Sequence, residues 1–302
     1  MRFNGLAISI QSILLRSIEL IVRSTSRIKT DFKPIWIIGV PRSGTTLVYQ
    51  VMCKSFKSSY LTNRVAKRYR IALITRKFER FAYEAELHPV SFTSEYGKTK
   101  EASDPHEGGA FFYQFFPKSN PYCKDLDKKK RIAFRKTISS LTEPLKLFIS
   151  KNTYHSLRIR ALKDSFPQSK FIWVTRNKSD VIHSIVRARQ KNNIPKEDWW
   201  SVNPEGWEEK NKLSEIEKIS WQIDEIESII EKDLLETKSR YLKVSYEEIS
   251  TNPHKTLNFI TKEFGIENEL RDIESLIPEK FEYSKPSDDS LLNEIKNTIK
   301  NE

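Results

Sequence analysis

The chain alternates between short apolar runs and longer amphipathic stretches. Residues 34–40, PIWIIGV, form a continuous apolar run that is typical of a strand buried on both faces. Two further runs of this kind lie at residues 170–175 and 240–244. Because strands that alternate with helices favour a parallel arrangement, we predict a central parallel sheet with helices on both faces. The helices predicted after the three strands are residues 45–56, 179–190 and 253–264.

Two long segments interrupt this alternation. Residues from about 60 to 150 are rich in aromatic side chains and show no sheet-like pattern, so we predict a mostly helical and loop insertion on the substrate side. A polar, tryptophan-rich loop occupies 194–212, and isoleucines at helical spacing follow it as far as about Leu235. We predict a single α/β domain over residues 31–302.

The first thirty residues, 1–30, form a separate predicted element. Their longest uncharged stretch runs only from Phe3 to Leu15, which is shorter than the roughly 20 apolar residues of a spanning helix. No small-residue cleavage site follows it. We predict a basic amphipathic helix that either packs its apolar side on its own domain or docks on an anionic membrane surface. That apolar side consists of Leu6, Ile10, Ile13, Leu14, Ile18 and Ile21.

Charge and cysteine content narrow the partners and the compartment. The chain has 52 Lys and Arg residues against 40 Asp and Glu, a formal net charge of +12. This charge favours anionic partners: nucleic acid, anionic lipid, or phosphorylated or sulfated small molecules. Two cysteines, Cys53 and Cys123, cannot form a disulfide framework. They indicate a cytoplasmic protein, peripheral at the inner membrane surface if the first helix docks there.

The first predicted strand leads into a loop with the spacing of a phosphate-binding loop. Its sequence, GVPRSGTT at 39–46, has the G-x-x-x-x-G pattern in which backbone N–H groups converge on a phosphate. Thr45 stands where a nucleotide triphosphatase has its lysine, and the second strand ends in WVTR without an aspartate for Mg²⁺. The loop therefore suits an anion that needs no metal, with Arg42 and Ser43 as side-chain donors.

A second anion site is predicted at the end of the second strand. Arg176 follows that strand, and Ser184 lies about two turns into the next helix. Ligands of open α/β sheets bind beyond the carboxyl ends of the strands, and a guanidinium with a hydroxyl suits a second phosphate well away from the first. We expect Arg187 and Arg189, further along this helix, to be surface charges.

Three motifs in this order resemble the sulfotransferases that use 3′-phosphoadenosine 5′-phosphosulfate (PAPS), particularly the bacterial type. They are PRSGTTL, FPQSKFIWVTRNKSDVIHSIVRAR and YLKVSYEEISTNPHKTLNFITKEFGI. The resemblance implies a fold like that of the P-loop-containing nucleotide hydrolases, with PAPS as the co-substrate and no metal taking part. It assigns the 5′-phosphosulfate to Arg42, Ser43, Gly44, Thr45 and Thr46, and the 3′-phosphate to Arg176 and Ser184.

Sulfuryl transfer needs a general base and a group that stabilises the leaving oxygen. The insertion contains DPHEGGAFF, in which His106 and Glu107 are adjacent, so only one of them is expected to be the base. The resemblance of P-x-E-G to a segment of bacterial members favours Glu107, with Glu101 and Asp104 as weaker candidates. Arg42 can meet the leaving group. Lys151, which opens a lysine-asparagine segment common in the family, faces either the sulfuryl group or solvent.

The sequence departs from the family at its C-terminus and leaves the acceptor open. The glycine- and lysine-rich closing loop of small-molecule members is missing, and Lys280 and Lys285 are the candidates to replace it. We expect a hydroxyl acceptor on a carbohydrate or glycolipid, since the aromatic insertion could stack on sugar rings. We expect no nucleic-acid partner. The rival hypotheses are a P-loop kinase or nucleotide triphosphatase, and a non-catalytic basic module that binds nucleic acid or membranes.

Overall fold

The structure, a computed structural model, covers most of the chain. It describes residues 2–29, 32–83, 92, 99–117, 121–144, 146–283, 285–286 and 289–300, without the side chains of residues 2–12 and 81–83. Parts of the predicted insertion and the side chains of Leu6 and Ile10 therefore lie outside the described residues.

The described residues contain one parallel sheet, with strand order β2-β3-β1-β4-β5. All carboxyl ends of the strands therefore lie at one edge, and β1 is central. In register, Ile35 of β1 lies beside Ile149 of β3 and Lys170 of β4. The strands are β1 (Ile35–Ile38), β2 (Ser58–Ser59), β3 (Leu147–Lys151), β4 (Lys170–Thr175) and β5 (Arg240–Ser245).

Helices cover both faces of this sheet, as predicted. Trp36 and Ile38 point into one core with α6 to α9 and α13, while Ile35 and Ile37 point into a second core with α2 and α10 to α12. The helices are α1 (Arg2–Thr25), α2 (Thr45–Ser55), α3 (Asn63–Lys67), α4 (Ala72–Tyr83), α5 (Gly109–Phe112), α6 (Lys128–Leu141), α7 (Ile159–Ser165), α8 (Lys178–Lys191), α9 (Glu215–Glu236), α10 (Tyr246–Thr251), α11 (Pro253–Phe264), α12 (Ile273–Leu276) and α13 (Ser290–Lys300).

The predicted insertion differs from the structure in two ways. Strand β3 lies between β2 and β1, so the segment from about 60 to 150 ends in a central strand that the sequence did not reveal. A short apolar run cannot be assigned to strand or helix by periodicity alone, which explains the omission. The phenylalanines of FFYQFF are also buried in the core instead of facing a ligand: Phe111, Phe112, Phe115 and Phe116.

Helix α1 lies on the domain, but not through its predicted apolar side. Glu19 is buried and accepts hydrogen bonds from the backbone N–H groups of Leu73 (2.9 Å) and Ile74 (3.1 Å) at the start of α4. Val22 packs against the core beside it. The apolar side instead faces outward: Ile13, Leu14, Ile18 and Ile21 are exposed.

Candidate active site

The loop after β1 has a backbone shape that requires glycine at two positions. Gly39 has φ of 152° and Gly44 has φ of 93°. A Cβ atom on Gly39 would lie 2.6 Å from the Val174 carbonyl oxygen, and one on Gly44 would lie 2.3 Å from Cδ2 of Tyr246. Arg42 also has positive φ, 68°, which is uncommon for a residue with a side chain and occurs at sites where the surroundings hold the backbone.

Two buried serines brace this loop from inside. The Ser43 hydroxyl donates to the Val40 carbonyl at 2.8 Å, so Ser43 shapes the loop and does not line the cleft. Ser156 accepts from the N–H of Gly39 and donates to the carbonyl of the same residue, both at 3.0 Å. Both contacts are fully buried, so they hold the loop where β1 ends.

The loop opens into a cleft of about 250 Å³ at the carboxyl edge of the sheet. Three cations line it, Arg42, Lys151 and Arg176, and Glu107 is the single carboxylate among its described lining residues. The excess of positive charge suits a multiply charged anion. The other lining residues are Pro41, Gly44, Thr45, Thr46, Leu47, Thr153, Ser184, Trp200, Ser201 and Tyr246.

Residues of the two predicted anion sites contact each other. Nε of Arg42 donates to the Ser184 hydroxyl at 3.0 Å, and Arg176 donates to the Arg42 carbonyl at 3.3 Å. The guanidinium of Arg176 also lies over the Tyr246 ring, 4.5 Å from its centroid. Arg42 therefore connects the loop after β1 with the start of α8.

A second group of side chains joins the loop to the insertion. Lys151, at the end of β3, is only 3% exposed, and its ammonium group forms an ion pair with Glu107. The same Nζ donates to the Thr46 hydroxyl at 3.2 Å. Asn152 donates to the backbone carbonyl of Glu107 at 3.0 Å, which holds the glutamate segment against β3.

His106 and Glu107 point apart, as their adjacency predicts. Glu107 lines the cleft, whereas Nδ1 of His106 accepts the Gly108 N–H at 2.8 Å and His106 is absent from the lining. Burial lowers the pKa of His106 below its usual value. Asp104 is fully buried and accepts the backbone N–H of Glu101, which is itself exposed, so neither weaker candidate lines the cleft.

Three other arginines near the site differ in burial. Arg158 is buried, with its guanidinium 4.7 Å from the Phe116 ring centroid and 5.2 Å from that of Tyr154, and burial lowers its pKa to about 10. Arg189 is no surface charge: it is buried and donates to Glu215 at 2.8 Å. Arg187 is exposed as predicted and pairs with Asp289.

The C-terminal segment reaches the site through a tyrosine. Lys280 and Lys285 are exposed and do not line the cleft. Between them, Tyr283 packs on Tyr246 with ring centroids 5.5 Å apart and donates to Asp180 at 2.9 Å. That carboxylate and the burial of the phenol raise the pKa of Tyr283.

Several residues of the site were not predicted from the sequence. Tyr246 directly follows a predicted parallel strand, a position that could have singled it out. Trp200 and Ser201 come from the tryptophan-rich loop, but nothing in the sequence shows that this loop returns to the cleft. Ser156 has no local signal, since its partner Gly39 lies 117 residues away. Within the described chain, His, Cys, Asp and Glu side chains form no group of three that could hold a metal ion.

The comparisons identify the family. A model of the sulfotransferase family matches residues 34–270, most of the chain. The chain belongs to this family, whose members generally use PAPS as the sulfuryl donor and act on hydroxyl-bearing acceptors. The predicted enzyme class is thereby confirmed.

One of the similar solved structures supports the fold, and two others have lower TM-scores. Sulfotransferase STF9 from Mycobacterium avium has a TM-score of 0.53 at 14% identity, covering 92% of this chain and 70% of that one. Sulfotransferase STF1 from Mycobacterium tuberculosis H37Rv has a TM-score of 0.47 at 13% identity, covering 92% and 73%. The sulfotransferase domain from the curacin biosynthetic pathway has 0.40 at 14%, covering 90% and 99%. No curated protein matches the chain by sequence.

Proposed function

We propose that this enzyme transfers a sulfuryl group from PAPS to a hydroxyl group of a carbohydrate or glycolipid. The observation that supports the proposal most directly is the composition of the cleft. Arg42, Lys151 and Arg176 converge on it from three separate parts of the chain, beside a glycine-bounded loop and one carboxylate. Such a site fits a ligand with several negative charges next to a group that needs a base.

The residues fit the two charged ends of PAPS. The loop N–H groups with Thr45 and Thr46 lie at the start of α2, where a helix favours a phosphate. Arg176 and Ser184 suit the 3′-phosphate. Arg42 belongs to the loop and also contacts Ser184, so we assign it to both the 5′-phosphosulfate and the 3′-phosphate. Ser43 contributes by holding the loop in shape through its bond to Val40.

When bound, PAPS supplies a sulfuryl group attached to a phosphate leaving group. Glu107 faces the cleft and takes the proton of the acceptor hydroxyl. Lys151 touches both Glu107 and Thr46, so its ammonium group is placed to orient the carboxylate and to stabilise negative charge near the loop. His106 does not line the cleft and its Nδ1 already accepts the Gly108 N–H, which favours Glu107 as the base.

The acceptor class rests on a different aromatic residue than the sequence suggested. The insertion phenylalanines are buried and cannot stack on a ligand, but Trp200 lines the cleft. An indole ring offers a flat apolar surface with a polar edge, which suits the apolar face of a sugar ring. The position of Trp200 in the lining supports a saccharide-bearing acceptor.

The first experiment is calorimetry with adenosine 3′,5′-bisphosphate, the product nucleotide, and separately with ATP and Mg²⁺. We expect micromolar binding of the bisphosphate without any metal, because the cleft provides cations for two phosphate groups. Binding of ATP with Mg²⁺ and none of the bisphosphate would instead support the kinase or nucleotide triphosphatase hypothesis.

The second experiment assigns the base. Glu107→Gln keeps the size of the side chain and one acceptor oxygen for Lys151 but cannot take up a proton, so we expect unchanged bisphosphate affinity and turnover reduced by about 10²–10⁴-fold. Glu101→Gln is the matched control on an exposed glutamate, and His106→Asn keeps an acceptor for the Gly108 N–H. Both should retain turnover, and full activity of Glu107→Gln would exclude Glu107 as the base.

A further inference from the structure

The outward side of α1 is mostly apolar between residues 13 and 25. The exposed fractions are 61% for Ile13, 59% for Leu14 and 61% for Ile21. Of the charged residues in this stretch, Glu19 is buried against the domain, Arg23 is half-buried and Arg16 is exposed at the edge of the apolar side. A surface helix normally has the opposite arrangement.

The polar groups on this outward side do not depend on water. The hydroxyl of Ser17 donates to the Ile13 carbonyl at 3.1 Å, and that of Ser24 donates to the Ile21 carbonyl at 2.8 Å. Thr25 donates to the same Ile21 carbonyl at 3.0 Å. Because these hydroxyls are satisfied within the helix, the surface can enter an apolar environment without losing hydrogen bonds.

The domain holds α1 in this orientation. The buried Glu19 carboxylate accepts two backbone N–H groups from the first turn of α4, and Lys136 donates to the Ser24 carbonyl. Turning the apolar side inward would leave the Glu19 charge without these bonds and strip α4 of its cap. The exposed apolar side is therefore a feature of the folded domain.

The apolar surface continues onto α4 and has a basic rim. Phe78 is 71% exposed and shares a shallow depression with Leu15, which Arg64, Arg68 and Glu79, the last paired with Arg64 at 3.8 Å, also line. Arg16 and Arg23 flank the apolar stripe on α1 with long side chains that can extend toward charged groups beside it. Apolar side chains within a rim of cations match an interface between acyl chains and anionic headgroups.

We propose that α1 and Phe78 dock this protein on an anionic membrane surface, with α1 lying in the interface plane. No described helix combines the length and the apolar composition needed to cross a bilayer. A second copy of the chain is a poorer occupant, because its basic rim would meet an identical basic rim and repel it.

Hydrogen bonds link the region of the proposed docking surface, α1 and Phe78, to the segment that carries Glu107. Next to α1, the N–H of Asn63 in α3 donates to the Asp104 carbonyl and that of Arg64 donates to the Ala102 carbonyl, both at 3.0 Å. The chain then passes from Asp104 to Glu107. On the proposed function, this link between the docking surface and the segment of the base favours a lipid-borne acceptor such as a glycolipid.

The test is co-sedimentation of the full chain with phosphatidylcholine vesicles, with and without phosphatidylglycerol. Ile21→Glu removes apolar contact and adds a charge that anionic lipid repels, so we expect at least tenfold weaker binding. Ile21→Ser removes the apolar contact alone and should weaken binding less. Leu235→Glu is the matched control, since Leu235 at the end of α9 is also 61% exposed, and it should bind like the unchanged protein.

Three results would overturn the proposal. They are no sedimentation with anionic vesicles, equal binding to vesicles without phosphatidylglycerol, and equal binding of Ile21→Glu. Light scattering that shows a dimer, converted to a monomer by Ile21→Glu, would assign the face to a second copy instead. Bisphosphate calorimetry on the same samples keeps the two proposals separate, because vesicle binding without bisphosphate binding would refute the proposed function alone.

Discussion

Ser156 fixes the backbone of Gly39, where the phosphate loop begins. Its hydroxyl both accepts and donates at Gly39, so one side chain fixes both backbone groups of the first glycine. Because the contact is fully buried, water cannot replace it when the side chain is removed. The position of the loop thus depends on a residue far from it in sequence.

We predict that Ser156→Ala lowers the free energy of unfolding by about 1–3 kcal/mol, because it leaves the Gly39 N–H unsatisfied. Bisphosphate affinity should fall with it, since the loop loses its brace. Urea denaturation and calorimetry measure the two effects. Ser165 provides the control: it is equally buried, but its hydroxyl has no hydrogen-bond partner among the described residues. Ser165→Ala should be neutral or stabilising, and an equal loss in both variants would contradict the bracing role.

Helix α1 depends on a buried carboxylate for its attachment. Burial raises the pKa of Glu19 above its ordinary value of 4.5, although the Leu73 and Ile74 N–H groups and Arg23 act in the opposite direction. A raised pKa in the folded state means that folding favours the protonated form. The stability from this group is fully present below pH 4.5 and is lost as the pH rises through the folded pKa.

We therefore predict a pH-dependent difference between the unchanged protein and Glu19→Gln. The glutamine keeps an acceptor oxygen but has no charge to bury, so the unchanged protein should lose stability relative to it as the pH rises from 4 toward 7. Glu19→Ala should lower stability by about 1 kcal/mol through loss of the cap on α4. Urea denaturation across this pH range measures the free energy of unfolding of all three proteins. Parallel pH profiles for the unchanged protein and Glu19→Gln would argue against a buried charge at Glu19.

At the scale of the whole molecule, the cleft joins elements that are otherwise separate. The ends of β1, β3 and β4 supply the phosphate loop, Lys151 and Arg176, while the insertion supplies Glu107. An anion bound there interacts with all of them, and the unfolded chain offers no such site. Ligand binding must therefore stabilise the folded protein as a whole.

We predict that adenosine 3′,5′-bisphosphate at a hundred times its Kd raises the free energy of unfolding by about 2.7 kcal/mol. Arg176→Ala removes a charged donor, so its affinity should fall roughly tenfold or more and the stabilisation at that concentration should shrink. Scanning calorimetry measures the shift. Arg131→Ala removes a surface arginine paired with Asp164 and should keep the full response. Equal responses from both variants would place the nucleotide elsewhere.

The elements that local sequence encodes were predicted well. Strand β4 occupies the predicted residues 170–175, and α11 occupies 253–264, because apolar runs and helical spacing depend on residues close together in the chain. The loop at 39–46 was predicted for the same reason, since its glycines and hydroxyls lie within one short, continuous stretch of the chain. The sulfotransferase family followed from three such local motifs and is confirmed.

Tertiary packing decided which of these pieces meet. Arg42 touches Ser184 across 142 residues and Lys151 pairs with Glu107 across 44, and no local pattern encodes such distances. The amphipathic pattern of α1 likewise identifies its apolar side but not the direction that side faces. The bonds of Glu19 to α4 determine that direction, because they lock the charged side of the helix to the domain and leave the apolar side outward.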